Sequence, residues 1–182
     1  AHHIAPLSGS KRPPVLALAE NFSGGPVVYS VRLSEADSAA AGAAGLAAKG
    51  SKKFVLLVAA GANASAGEKR VANSLSIYGA TLAVSVPYSA GAGASKAVTD
   101  MGSLVDTPDA VVIASGDESP SQVLAALKSK GIPGKTTAVV GTNRWLEHPI
   151  EAGFEGAYIA TLDPSETGPI ADCLDGVSGE VG

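Results

Sequence analysis

Cysteine is almost missing from this 182-residue chain. Cys173 stands alone, so no internal disulfide can form, and one thiol with three histidines is poor material for a structural zinc site. No metal and no cofactor is expected. The redox compartment stays open, because a secreted protein can lack disulfides as readily as a cytosolic one. Basic charge is scarce as well: the net charge is −4, the isoelectric point is near 5.3, and Lys and Arg are scattered. That leaves no electrostatic footprint for a phosphate backbone, and nucleic acid is excluded as the expected partner. Long apolar runs are missing too. The longest, Phe54 to Ala62, is about half the roughly 18–20 residues that span a bilayer. The 22 glycines and 11 prolines fall short of the roughly 25–30% that marks low complexity, so they act as punctuation.

What is present suits one folded core. Hydrophobic residues make up 46% and charged residues 16%, with a mean hydropathy of +0.23, and the length fits one substantial domain. Four apolar runs rich in β-branched residues recur: Phe54 to Val58, Leu82 to Val86, Ala110 to Ala114 and Thr137 to Val140. They run continuously instead of alternating, which predicts strands buried on both faces. Shorter strands are expected at Val15 to Leu18, Val27 to Val31 and Gly156 to Ala160.

Segments with helical spacing lie between them: Val71, Leu75 and Tyr78; Val98, Met101 and Val105; Val123, Leu124 and Leu127. Ser34 with Asp37 starts an alanine-rich helix that ends near Lys49-Gly50, read as tightly packed despite its small residues. Ser119-Pro120-Ser121-Gln122 places a hydroxyl at an N-cap and proline at the first helical position. Asp163-Pro164-Ser165-Glu166 starts a last short helix. Ser89 to Ser95 has linker-like composition and is expected as a loop. The alternation implies right-handed crossovers and an α/β fold, a doubly wound, mostly parallel sheet with helices on both faces.

In such a sheet ligands bind outside the carboxyl ends of the strands. Three loops fall there: Ala60 to Ser65, Ser115 to Glu118 and Gly141 to Trp145. They carry amides, hydroxyls, two carboxylates, a guanidinium and an indole, a set able to orient a small polar ligand, or else to serve as ordinary solvated turns. Trp145 can stack on a ligand or pack under its loop. Enzyme templates fit poorly. A serine triad would need His148, yet no Gly-x-Ser-x-Gly elbow ends a strand. Gly91-x-Gly93-x-x-Lys96 lacks the third glycine of a dinucleotide fingerprint. Cys173 reads as a small buried hydrophobe, and Asp117-Glu118 as complements to a helix dipole.

The ordered series from Pro14-Val15-Leu16-Ala17-Leu18, through Gly25-Pro26-Val27-Val28-Tyr29-Ser30-Val31 and Gly50 to Val58, to Tyr78-Gly79-Ala80, Pro108-Asp109-Ala110-Val111-Val112, Gly141-Thr142-Asn143-Arg144-Trp145 and Phe154 to Tyr158 resembles the second lobe of type I periplasmic solute-binding proteins. These are the Leu/Ile/Val-binding family, and the likeness is greatest to its penicillin-binding protein activator branch. The resemblance implies two αβ lobes on a hinge with a ligand held between them. Family members are about twice this length, so it implies one lobe, a fragment or truncation: residues 1–13 as a tail or first-lobe remnant, 14–163 as a single αβ lobe, and 164–182 as a C-terminal helix and tail. By position it puts Asn63, Ser65, Gly116, Asp117, Asn143 and Trp145 at the cleft. Amino-acid-binding members commonly place a tyrosine in the loop after the Phe54 to Val58 strand, where this chain has Asn63 or a neighbour, a departure that bears on specificity.

The expectation is a non-catalytic lobe that binds a small polar, amino-acid-like ligand. It would work with a membrane permease in the periplasm or anchored at the envelope, as a lipoprotein in the family manner. A missing first lobe or partner chain goes with it. The opening residues show no leader pattern, and a mature or trimmed chain would read the same. Two other readings stand beside it: an envelope protein that regulates peptidoglycan synthesis by contacting a penicillin-binding protein, and a small α/β enzyme that uses Asp117 or His148.

Overall fold

The apolar runs at Lys53–Ala59, Ala110–Ala114 and Ala138–Gly141 become strands because both of their faces are covered, whereas the run from Leu82 to Val86, also expected to be buried on both faces, lies at the sheet edge and is only partly buried. The computed structural model describes residues 15–17, 28–30, 33–60, 64–89, 92–116, 120–132, 136–147 and 157–161. The chain divides into two compact units, Ala1–Ser34 and Glu35–Gly182. In the first, β1 (Val15–Ala17) and β2 (Val28–Ser30) pair in parallel, with Leu16 opposite Tyr29.

The second unit holds α1 (Glu35–Ala48), β3 (Lys53–Ala59), α2 (Ala64–Ile77), β4 (Thr81–Tyr88), α3 (Ala92–Leu104), β5 (Ala110–Ala114), α4 (Ser121–Ser129), β6 (Ala138–Gly141), a 3-10 turn (Asn143–Glu147) and β7 (Tyr158–Ile159). The strands form one parallel sheet in the order β4-β3-β5-β6-β7. The fold is α/β and doubly wound. Alternate side chains of each strand feed opposite layers, as the two-residue strand period requires. Val55, Leu57, Val111, Ile113 and Val139 pack with α3 and α4, while Phe54, Leu56, Val58, Ala110, Val112 and Val140 pack with α1 and α2.

A bulge keeps β4 in this scheme. Phe54 pairs with Leu82 but Val55 pairs with Val84, which leaves Ala83 as the extra residue. Leu82 therefore packs with the α1/α2 layer, while Val84 and Val86 serve the α3/α4 layer. Pro87 lies within β4 opposite Val58, and β4 forms an edge of the sheet, where a missing N–H is tolerated.

The alanine-rich helix is tightly packed, as its composition suggested. Ala39, Ala40, Ala43, Leu46 and Ala47 are buried. A Cβ on Gly42 would come within 2.6 Å of Val140 Cγ1, so only a glycine lets α1 lie this close to β6. The helix closes at Gly50, whose N–H donates to the Ala47 carbonyl while Ser51 N–H reaches back to Leu46.

Three local expectations differ from the structure. Gly93 to Ser95 belong to α3 and not to a loop, because Ala94, Ala97, Val98 and Met101 bury one stripe of the helix against the sheet and packing outweighs the glycine's low propensity. Tyr78 lies just past α2 and is 43% exposed, so it does not complete the stripe begun by Val71 and Leu75. Pro120 has helical angles, φ −70° and ψ −10°, and its carbonyl accepts from Leu124 N–H at 3.0 Å, with no side-chain cap there. Ser119 and the helix expected from Asp163 lie outside the described residues.

The amino end of the sheet is fastened by Asp109. Its carboxylate accepts the N–H groups of Lys52 at 2.7 Å and Lys53 at 2.9 Å, tying the start of β3 to the start of β5. Those two backbone bonds hold its pKa below the ordinary aspartate value.

Candidate functional site

In strand order the sheet turns back between β3 and β5: β4 lies on one side of β3, and β5, β6 and β7 extend on the other. Loops leave a doubly wound sheet in opposite directions at such a switch point, and the crevice opens at the carboxyl ends of the two strands. Here that means the residues after Ala59 and after Ala114. The two ends come together: a Cβ on Gly116 would stand 3.6 Å from Ala59 Cβ. Gly116 adopts φ +63°, a left-handed conformation that glycine accepts without strain.

The first turn of α1 ends at this same edge. The Glu35 carboxylate accepts the Gly116 N–H at 2.9 and 3.2 Å, and the Thr142 hydroxyl at 3.0 Å. One turn on, Ser38 is fully buried. Its hydroxyl donates to the Ala160 carbonyl at 2.7 Å and accepts the Asn143 N–H at 2.9 Å. Residues three apart share a helix face, so one face of α1 holds the carboxyl ends of β5, β6 and β7 together.

The six residues placed at the cleft by position divide accordingly. Asn63 and Asp117 lie outside the described residues, as do His148 and Cys173. Ser65 is exposed in the first turn of α2, directly after the β3 loop. Gly116 is at the switch point, and Asn143 opens the 3-10 turn after β6. The N–H groups of both are directed to α1, to Glu35 and Ser38 respectively. Trp145 is the correction. Its indole is 1% exposed and packs in the α3/α4 layer, because the 3-10 turn folds it back over Gly141, where a Cβ would meet the ring at 2.5 Å. The glycine makes room for the ring, and the ring offers no open face for stacking.

Four residues at this edge were not singled out as ligand contacts from the sequence: Glu35, Ser38, Ser115 and Thr142. The helix start at Ser34 with Asp37 was legible, but Glu35 between them drew no reading, and nothing local tells that its carboxylate reaches residues 81 and 107 positions away. The Ser115 hydroxyl is fully buried at the end of β5 and, like the Trp145 indole N–H, meets no hydrogen-bond partner among the described residues. Among the described residues no three His, Cys, Asp or Glu side chains are grouped to hold a metal ion. No described helix is long and apolar enough to cross a membrane.

A parallel five-stranded sheet of this order, with helices on both faces and a polar carboxyl edge, is the lobe fold of the type I periplasmic solute-binding proteins. Solved structures bear this out. A solute-binding protein of an ABC transporter from Rhodopseudomonas palustris HaA2, in complex with p-hydroxybenzoic acid, superposes with a TM-score of 0.57 at 11% identity, covering 66% of this chain and 33% of that one. An extracellular ligand-binding receptor from the same organism gives 0.51 at 25% identity, covering 64% and 31%. A branched-chain amino acid ABC transporter periplasmic ligand-binding protein from Burkholderia xenovorans LB400 gives 0.52 at 18%, covering 60% and 29%. The matched part of the chain thus covers about a third of the length of these proteins. No protein-family model matches the sequence, and no curated protein matches it.

Proposed function

We propose that this chain is one lobe of an extracytoplasmic solute receptor, which takes a small polar, amino-acid-like solute at the crevice between β3 and β5 and passes it to a membrane permease. The observation that carries the reading is the carboxyl edge of the sheet, where the ends of β3 and β5 meet at Gly116 beside the switch point in the strand order. The solute-binding proteins that share the fold support the solute-binding part of this reading, since those with a named ligand hold small aromatic acids. On this reading Ser65, Gly116 and Asn143 line the crevice, Asn63 and Asp117 stay ligand contacts expected from the sequence, and the lobe performs no chemistry. Residence in the periplasm goes with the permease role.

In a two-lobed receptor the solute stabilises the closed form through contacts from both sides. One lobe makes only its share of them, so affinity here should be weak, about millimolar. Amide chemical-shift mapping on the whole chain tests this, with leucine, glutamine and 4-hydroxybenzoate titrated in turn. A solute of the right class moves the amides of Ser65, Gly116 and Asn143 and leaves those of Lys52, Lys53 and Thr81, at the other end of the strands, in place. Shifts confined to the Lys52 end, or micromolar affinity for a common amino acid, would count against the proposal.

A further inference from the structure

We infer that Glu35 occupies the anion position of this edge, so that the lobe itself fills the place where a ligand carboxylate would bind. The donors around it form an anion cradle. A left-handed glycine N–H after β5 addresses both carboxylate oxygens, and a buried threonine hydroxyl after β6 adds a third bond to one of them. Backbone N–H groups presented at the carboxyl ends of parallel strands are what such folds use to hold carboxylates and phosphates. Here the acceptor comes from the chain, at bond lengths of ordinary strength. It is held by its own helix, and that helix is anchored one turn on by Ser38 to Asn143 and Ala160.

Two consequences follow. With the carboxylate in place, the donors of Gly116 and Thr142 are spent, and a second negative charge brought beside Glu35 meets like-charge repulsion in a partly buried setting. If the crevice takes a solute, which rests on the function proposed above, the end of that solute facing Glu35 is neutral or cationic, a hydroxyl, an amide or an ammonium group. It is not the carboxylate of a hydroxybenzoate. Without Glu35 the cradle is an empty anion site of fixed geometry, which a small carboxylate from solution can enter.

Chemical rescue of the whole chain tests this. Thermal midpoints of wild type, Glu35→Ala and Glu35→Gln are followed by Trp145 fluorescence in sodium formate and in sodium chloride of equal ionic strength. Wild type and E35Q, whose amide oxygen still fills the cradle, should melt alike in the two salts. E35A should melt lower in chloride and regain about 3–10 °C in formate, saturably, as a bound ligand requires. Adding Thr142→Val to E35A should shrink that gain. If E35A does not fold in chloride, it should refold in formate and not in chloride, read by far-ultraviolet circular dichroism. Equal behaviour of E35A in the two salts overturns the inference, and so does a wild type that responds to formate as E35A does. The solute titrations read the other claim: formate rescue in a chain that takes no solute upholds the role of Glu35 as anion occupant and removes the proposed receptor function.

Discussion

Replacing Gly141 by alanine adds one methyl group where the single tryptophan of the chain lies. The new Cβ would stand 2.5 Å from Trp145 Cδ2 and Cε3 and 2.8 Å from Cε2. Carbon atoms in contact prefer about 3.5–4.0 Å, so the ring must retreat by about 1 Å. Retreat is obstructed, because the indole is buried among the α3/α4 layer side chains. Overpacking of this kind costs about 1–3 kcal/mol, and the smaller entropy of the unfolded alanine chain offsets about 0.4–1 kcal/mol. The net loss is about 1–2 kcal/mol, which in a domain of this size lowers the thermal midpoint by about 2–8 °C. Urea unfolding read by tryptophan fluorescence measures both effects at once. The midpoint should fall, and native emission should shift to the red as the indole is pushed toward solvent. Gly45→Ala is the matched control: that position is exposed in the interior of α1 with nothing within 4 Å of an added Cβ, so the same change should stabilise by about 0.5–1 kcal/mol. A G141A chain as stable as wild type, with unmoved emission, would refute the seating of the indole on Gly141.

Asp109 should make stability sensitive to acid. Its folded pKa is depressed by the N–H groups of Lys52 and Lys53, so its contribution is present above the unfolded value of about 3.9 and is lost as pH falls through the lower folded one. Asp109→Asn should cost about 1 kcal/mol at neutral pH and flatten the dependence below about pH 4, seen in urea midpoints taken from pH 2 to 7; an unchanged acid slope would count against the clamp. Ser38→Ala removes a fully buried hydroxyl that serves both the Ala160 carbonyl and the Asn143 N–H. Leaving those groups unmet should cost about 1–3 kcal/mol and speed hydrogen exchange at Asn143, whereas a neutral effect on both would show that water replaces the bridge.

The doubly wound class was legible from residue order alone, because burial on both faces forces runs such as Phe54 to Val58 and Ala110 to Ala114 to be apolar throughout, and helical stripes alternate with them. That is a local consequence of which faces water can reach. The sheet order, the Ala83 bulge and the switch point between β3 and β5 are products of packing. They depend on which layer each crossover helix covers, and no window of sequence holds that information. The site divides the same way. Ser65, Gly116 and Asn143 could be nominated because residues following strands gather at one edge whatever the order. Trp145 could be assigned only by packing, since Gly141 accepts its ring and an indole in a polar loop looks the same whether it faces solvent or core. Glu35 was hidden most completely. A carboxylate in a first helical turn satisfies local electrostatics by itself, and its bonds to Gly116 and Thr142 exist only because the tertiary fold brings the start of α1 to the carboxyl ends of β5 and β6.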